Sequence, residues 1–186
     1  MPVDRPRAEA AIAELLRALG HDPSSDPELV ETPERVARAW ADELLAGYAV
    51  DVPALLAGGA LSSESPGIVV VRGIALATVC PHHLLPSVGT ATVAYLPGKR
   101  LLGLGTIAAL VEAFARRLAL QEDIGHNVVT ALMEHAGARG AYCRIELSHA
   151  CLNARSRTCG QASVVTTAQA GELDLAALSL ALEEPR

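Results

Sequence analysis

Aromatic residues make up only 3 % of this 186-residue chain, and Trp40 and Phe114 are the only members of their kinds. So few rings argue against a protein that holds nucleic acid by stacking bases on aromatic side chains. Positive charge is short as well. Fifteen Lys and Arg face 21 Asp and Glu, a formal net charge of −6, whereas a general nucleic-acid or membrane-surface binder needs a basic footprint. Any recognition of phosphate is therefore local. No run approaches the roughly 18 apolar residues that span a bilayer, and Arg5 and Arg7 are followed by no apolar signal segment. The expected address is the cytoplasm. There the four cysteines, Cys80, Cys143, Cys151 and Cys159, are expected as thiols or metal ligands rather than as disulfides.

What the chain does have is apolar content. At 51 % it is enough for a real core in one domain with an accessory N-terminal segment. Ile12, Leu15, Leu16 and Leu19 recur at helical spacing and stop at Gly20, which predicts a helix over 7–19 with a glycine end. Thr32 as cap and Pro33 in the first turn open a second helix, continued by Val36, Ala39, Trp40 and Leu44 toward Gly47. The Gly, Pro and Ser between Pro53 and Gly67 read as a connection. Strands are expected at 68–71, 90–95, 141–147 and 162–168. Helices are expected around Ile107 to Leu118, around Ile124 to Leu132 and over 173–182. The order β-β-α-α-β-β after a helical lead-in predicts an α+β domain, an antiparallel sheet with paired helices on one face. The expected boundary separates a helical segment, 1–60, from the domain at 61–186.

Two short patches carry the chemistry. Cys80-Pro81-His82-His83 and His149-Ala150-Cys151 hold five soft or imidazole ligands within seven positions. Cys80 and His83 are three apart, a spacing that one turn folds around an ion, and Cys151 supplies a third corner from another element. Three protein ligands on zinc leave a fourth position for a water that the metal acidifies, so hydrolysis is the reaction to test first. The competing reading is plain packing, since a buried Cys near a His is common without metal. His82 and His149 each adjoin an expected ligand, where an imidazole suits proton transfer near neutral pH. His21, His126 and His135 lie in polar stretches and read as solvated, Cys143 as core, and Arg116-Arg117 as the outer face of a helix.

The stretch from Cys80 to His83, followed by Val88-Gly89-Thr90-Ala91-Thr92-Val93-Ala94-Tyr95-Leu96-Pro97 and Leu102-Gly103-Leu104, resembles the core of the GTP cyclohydrolase I family. Arg116-Arg117, Gln121-Glu122, His149-Ala150-Cys151 and the helix start Thr32-Pro33-Glu34-Arg35 extend the resemblance in order over nearly all of residues 30–168. It implies a tunnelling fold assembled as a toroidal homodecamer with sites between subunits. It implies zinc on Cys80, His83 and Cys151, attack by water at C8 of guanine, opening of the imidazole ring and loss of formate. Rearrangement and closure to dihydroneopterin triphosphate follow. His82 and His149 match the acid/base histidines, the first for the purine and the second for the ribose. Arg155 matches a triphosphate-binding arginine, and Arg35 one that arrives from a neighbouring subunit. Glu122 agrees on chemical grounds: one carboxylate can accept both N1–H and the 2-amino group of guanine, a pair adenine lacks, with Gln121 in support. Without that context, a glutamate favoured by the helix N-terminus is the preferred explanation of Glu122.

The chain departs from the resemblance at two places. Pro81 stands where the family has Glu, and Gly105-Thr106-Ile107-Ala108-Ala109 stands where it has Ser-Lys-x-x-Arg. Losing two charge-assisted phosphate contacts of about 1.5–3 kcal/mol each lowers triphosphate affinity by orders of magnitude unless Arg157, Lys99 or Arg100 compensates. Three readings stay open. The first is the GTP reaction, and the second is a paralogue acting on a purine without triphosphate. In the third, a non-catalytic relative, Cys159 fills the fourth zinc position.

Overall fold

Asp4 sets the first helix by accepting the Arg7 backbone N–H at 3.1 Å, so that α1 runs from Arg5 to Ala18. Just past its end Gly20, whose φ of +88° lies in the left-handed region, provides the expected glycine stop. No residue of α1 is buried, and Leu15 and Leu19 remain exposed. Thr32 does not act as a cap. It lies inside α2 (Thr32–Ala39), and the capping position falls on Glu31, whose side chain makes no capping bond. The next helix, α3 (Val52–Gly58), occupies part of the stretch read as a connection. Asp51 caps it by accepting from the Ala54 N–H at 3.0 Å, and Pro53 sits in the first turn, where its missing N–H is harmless. The chain then enters a two-residue strand, β1 (Ala60–Leu61). This is a computed structural model, and it describes residues 3–61, 67–155, 160–173 and 178–179.

The strands are longer than the β-branched runs that announce them, because flanking Ala, Thr and Gly residues continue the pairing. β2 (Val69–Val79) and β3 (Pro86–Leu96) form a hairpin interrupted between Val71 and Ile74, where Gly73 at φ +69° permits a bulge. The short β4 (Leu101–Leu102) pairs with β1 and leads into the paired helices α4 (Leu104–Ala115) and α5 (Gln121–Glu134). β5 (Gly140–His149), a one-turn helix α6 (Ala150–Asn153) and β6 (Ser163–Gly171) follow. The main sheet is antiparallel in the order β2-β3-β5-β6. Its inner face, including Ala91, Val93, Ile145 and Leu147, is fully buried with Ile107, Leu110 and Val111 of α4 and Ile124, Val128 and Leu132 of α5. Cys143 joins this core, and burial pushes its thiol up to about 12, as an inward packing residue should show. The helix expected over 173–182 falls almost wholly outside the described residues.

The end of α4 explains why the second helix stops early. Instead of continuing to Gly47, hydrogen bonding widens over Trp40–Leu44, with the Leu45 N–H donating to the Trp40 carbonyl, and then tightens over Ala46–Ala49. A Cβ at Gly47 would stand 2.4 Å from the Ala113 carbonyl oxygen, so this segment approaches α4 more closely than a regular helix with side chains allows. Arg117, read from sequence as facing outward, clamps the contact instead. It donates to the carbonyls of Ala113 and Gly47 at 2.7 and 3.0 Å and lies over the rings of Tyr48 and Phe114.

The β3–β5 seam is equally close. A methyl group at Gly89 would lie 2.0 Å from the Glu146 carbonyl oxygen. Gly89→Ala is therefore expected to destabilise the domain by about 3 kcal/mol or more, through a backbone shift in the central strand pair. Thermal and denaturant unfolding measure this; a midpoint within a degree of the parent would contradict the packing described.

Candidate metal centre and the adjoining cleft

The turn between β2 and β3 faces two candidate ligands, Cys80 and His83, toward each other. Cys80 N–H donates to the Leu85 carbonyl at 3.0 Å and Leu84 N–H to the Cys80 carbonyl at 2.9 Å. Leu84 closes the turn at φ +54°, a left-handed conformation that disfavours a leucine by about 1 kcal/mol. The result is a Cys80 Sγ to His83 Nδ1 distance of 3.8 Å. Cys151 arrives on α6, directly after β5, and the register pair Ser87↔His149 sets the end of β5 beside the start of β3. The donor atoms of Cys80, His83 and Cys151 all lie within 4.8 Å of one another. Ligands sharing one zinc ion stand about 3.8 Å apart when both are sulfur, so only a small contraction is needed.

The electrostatics agree with a cation at this point. Burial, then the hydrogen bond and charge of the neighbouring Cys80, raise the Cys151 thiol above its ordinary range, and Arg155 only partly offsets them. Two thiols and an imidazole held this close offer three donor atoms to one point. They fit a soft divalent ion, and the sulfur, nitrogen, sulfur donor set is one that zinc takes.

A cleft of about 240 Å³ opens beside the triad, lined among others by Thr78, Cys80, Ser87, Gln121, Glu122 and His149. Gln121 and Glu122 form the first turn of α5. Gln121 is buried and its side-chain N–H groups donate to the carbonyls of Ile145 and Val164 at 3.0 and 2.9 Å. Its Oε1 lies 2.7 Å from His149 Nε2, and His149 Nδ1 lies 2.8 Å from Ser87 Oγ. Glu122 is exposed at the cleft. His82 is exposed, with its ring edge-on to His83 at 6.4 Å, and Arg155 is exposed two residues beyond α6. Arg35 is not in the cleft of its own chain; it lies on α2, paired with Glu31. His21, His126 and His135 are exposed, as expected.

Ser87 is the functional-site residue that sequence reading passed over. Period two places it on the same face of β3 as Ala91, Val93 and Tyr95, and a hydroxyl on that otherwise apolar face is the signal that was available.

Comparison with known proteins supplies the assignment. The family model for GTP cyclohydrolase I matches residues 8–180. The chain belongs to the GTP cyclohydrolase I family. That is a family of hydrolase enzymes, and GTP cyclohydrolase 1 of Chromobacterium violaceum is 41 % identical over 174 residues, covering 93 % of this chain and 83 % of that one. GTP cyclohydrolase 1 of Leifsonia xyli subsp. xyli is 42 % identical over 170 residues, covering 91 % and 88 %. The corresponding protein of Rhodopirellula baltica is 41 % identical over 153 residues, covering 82 % and 66 %. Among solved structures, the apo form of an archaeosine synthase QueF-Like protein covers 60 % of this chain and 100 % of its own, at TM-score 0.49 and 15 % identity.

Against the GTP cyclohydrolase I pattern, the start of α4 is free of charge. Gly105 is exposed with open space around it, Thr106 packs toward Gly59 and Gly103, and Ala109 lines a separate cavity with Glu112 and Arg116. Lys99 and Arg100 follow the far end of β3, roughly 30 Å along the strand from Ser87, so they do not serve the cleft of the same chain. Arg157 and Cys159 lie outside the described residues. Among those described, no helix is long and apolar enough to cross a membrane.

Proposed function

We propose that this protein is a zinc-dependent hydrolase that opens the imidazole ring of a guanine nucleotide at C8, converting GTP and water to 7,8-dihydroneopterin triphosphate and formate. The observation that carries the reading is the convergence of Cys80, His83 and Cys151 within 4.8 Å at the wall of a cleft shared with Glu122 and His149, in a member of the GTP cyclohydrolase I family. Zinc on these three side chains supplies Lewis-acid activation of water. The protein's own groups do the rest. Glu122 accepts the N1–H and 2-amino group of the base, fixing C8 toward the ligand triad and rejecting adenine, whose edge leaves the carboxylate unmet. His82, exposed on the ligand turn, carries protons to and from the purine during ring opening, and His149 serves the ribose end. Arg155 and an Arg35 from a neighbouring copy hold phosphate oxygens.

The oligomer implied is a toroidal homodecamer of the tunnelling type in the cytoplasm. Support within one chain comes from the edge strands β2 and β6, which among the described residues pair on one side only in the main sheet, and from exposed Leu84, Val88, Leu118 and Leu120 near the ligand end. Such edges and apolar surface call for a partner, and a second copy of the chain is the simplest one.

A second reading is favoured by the uncharged start of α4: the same ring opening on a purine that carries fewer phosphates. Zinc-loaded protein offered GTP, GMP, guanosine and guanine in parallel, with formate release and pterin fluorescence followed, separates the two. Formate with pterin from GTP alone is the expected outcome. Formate without pterin, or preference for an unphosphorylated substrate, moves the assignment to the second reading, and no formate from any of the four refutes the hydrolase.

A further inference from the structure

We propose that Ser87 and Gln121 are positioning residues for His149, which together hold its ring in one plane as the Nε2–H tautomer before substrate arrives. The reasoning starts at the buried end. Both side-chain N–H groups of Gln121 donate to backbone carbonyls, those of Ile145 and Val164. Flipping the amide would set its oxygen against two carbonyl oxygens, so Oε1 is fixed as an acceptor. It lies 2.7 Å from His149 Nε2, which has to donate. A neutral ring with its proton on Nε2 has only a lone pair at Nδ1, and Ser87 Oγ, 2.8 Å away, has to supply the hydrogen. Rotating the ring by half a turn would put carbons where both nitrogens now bond, forfeiting both contacts.

Local sequence does not build this chain of contacts; the sheet does. Ser87 and His149 are 62 residues apart and meet as register partners across β3 and β5, where facing side chains come within bonding reach. Ser87 is 1 % and Gln121 3 % exposed, so water does not compete for either contact. Two consequences follow at the cleft. Gln121 has its donors and its oxygen engaged and supports the site through His149 rather than by touching the base, leaving Glu122 as the group of that pair that reads it. His149, for its part, is held in one ring orientation, and a proton it exchanges with the ribose end replaces one of these two contacts.

The inference deepens the proposed function, since it assigns how that site's histidine is held, but the tautomer itself can be seen without substrate. Neutron diffraction from perdeuterated, zinc-loaded crystals is expected to show deuterium on His149 Nε2 directed at Gln121 Oε1, with the Ser87 hydroxyl deuterium directed at Nδ1. Deuterium on Nδ1, with Ser87 accepting, overturns the proposal whatever the enzyme's activity. In solution, Ser87→Ala is expected to keep its zinc and its KM for GTP within about twofold while kcat falls about tenfold, the size of one lost hydrogen bond. A kcat equal to the parent's refutes the positioning role even if the tautomer is as described. If the parent itself releases no formate, the proposed function fails while the neutron result still decides this inference.

Discussion

Cys80→Ala and Cys151→Ala are each expected to lower bound zinc from about one ion per chain to below about a tenth, and to abolish formate release with it. The size of the effect follows from the ligand count. Three protein donors lie within 4.8 Å of one another, and deleting one thiolate leaves a sulfur and an imidazole, too few to hold zinc against dilution or a mild chelator. Removing Cys151 also removes a thiol whose ionisation burial and the neighbouring Cys80 oppose. Neither change disturbs the core, because both cysteines are only half-buried and stand at the rim of the sheet, outside the packing of α4 and α5. Unfolding midpoints measured in the presence of chelator should therefore agree among the parent and both variants. Metal analysis by mass spectrometry checks the first result; full zinc retention in both variants would remove the ligand assignment.

The second large effect is expected at Glu122, the carboxylate proposed to read the base. Glu122→Gln is expected to lower kcat/KM for the guanine substrate about a thousandfold, while zinc content and fold stay as in the parent. A glutamate offers two acceptors to the two donors of guanine; glutamine replaces one acceptor with a donor, which leaves an unmet donor on each side and removes the charge assistance from the remaining bond. Glu122 lies in the first turn of α5, so a purely structural role predicts something quite different. Loss of a favourable charge at a helix N-terminus lowers stability by about 0.3–1 kcal/mol and leaves kinetics untouched. Steady-state kinetics and thermal unfolding on the same sample distinguish these: a variant that melts slightly lower but turns over normally would assign Glu122 to the helix alone.

Most of what positions the site was legible in the sequence because it rests on local patterns. Strand alternation through Ala91, Val93 and Tyr95, the helical spacing of Ile107, Leu110 and Val111, and the Cys-x-x-His turn each show within a dozen residues. The element order then leaves an antiparallel sheet under paired helices as the natural arrangement, and the three candidate ligands meet where that arrangement brings the start of β3 and the end of β5 together. What escaped depends on contacts between distant segments. The early end of α2 reflects Gly47 pressing on Ala113 and Arg116, and Arg117 turns inward because that approach supplies two carbonyls and two rings. Thr32 has a good capping side chain, yet the chain enters the helix one residue earlier, at Glu31. Ser87 shows in the sequence only as a hydroxyl on an apolar face until register sets it opposite His149, and the contacts of the Gln121 amide with the carbonyls of Ile145 and Val164 depend on strands that no local pattern links to it.

The decisive measurement is X-ray absorption at the zinc edge on the purified, zinc-loaded protein, because it reports the coordination shell that separates an open catalytic centre from a closed structural one. Two sulfurs at about 2.3 Å and two lighter atoms at about 2.0–2.1 Å, one of them exchangeable with solvent, are the expected result. A shell of three sulfurs and one nitrogen, unchanged by any guanine compound, would place a third cysteine on the metal and contradict the enzyme described.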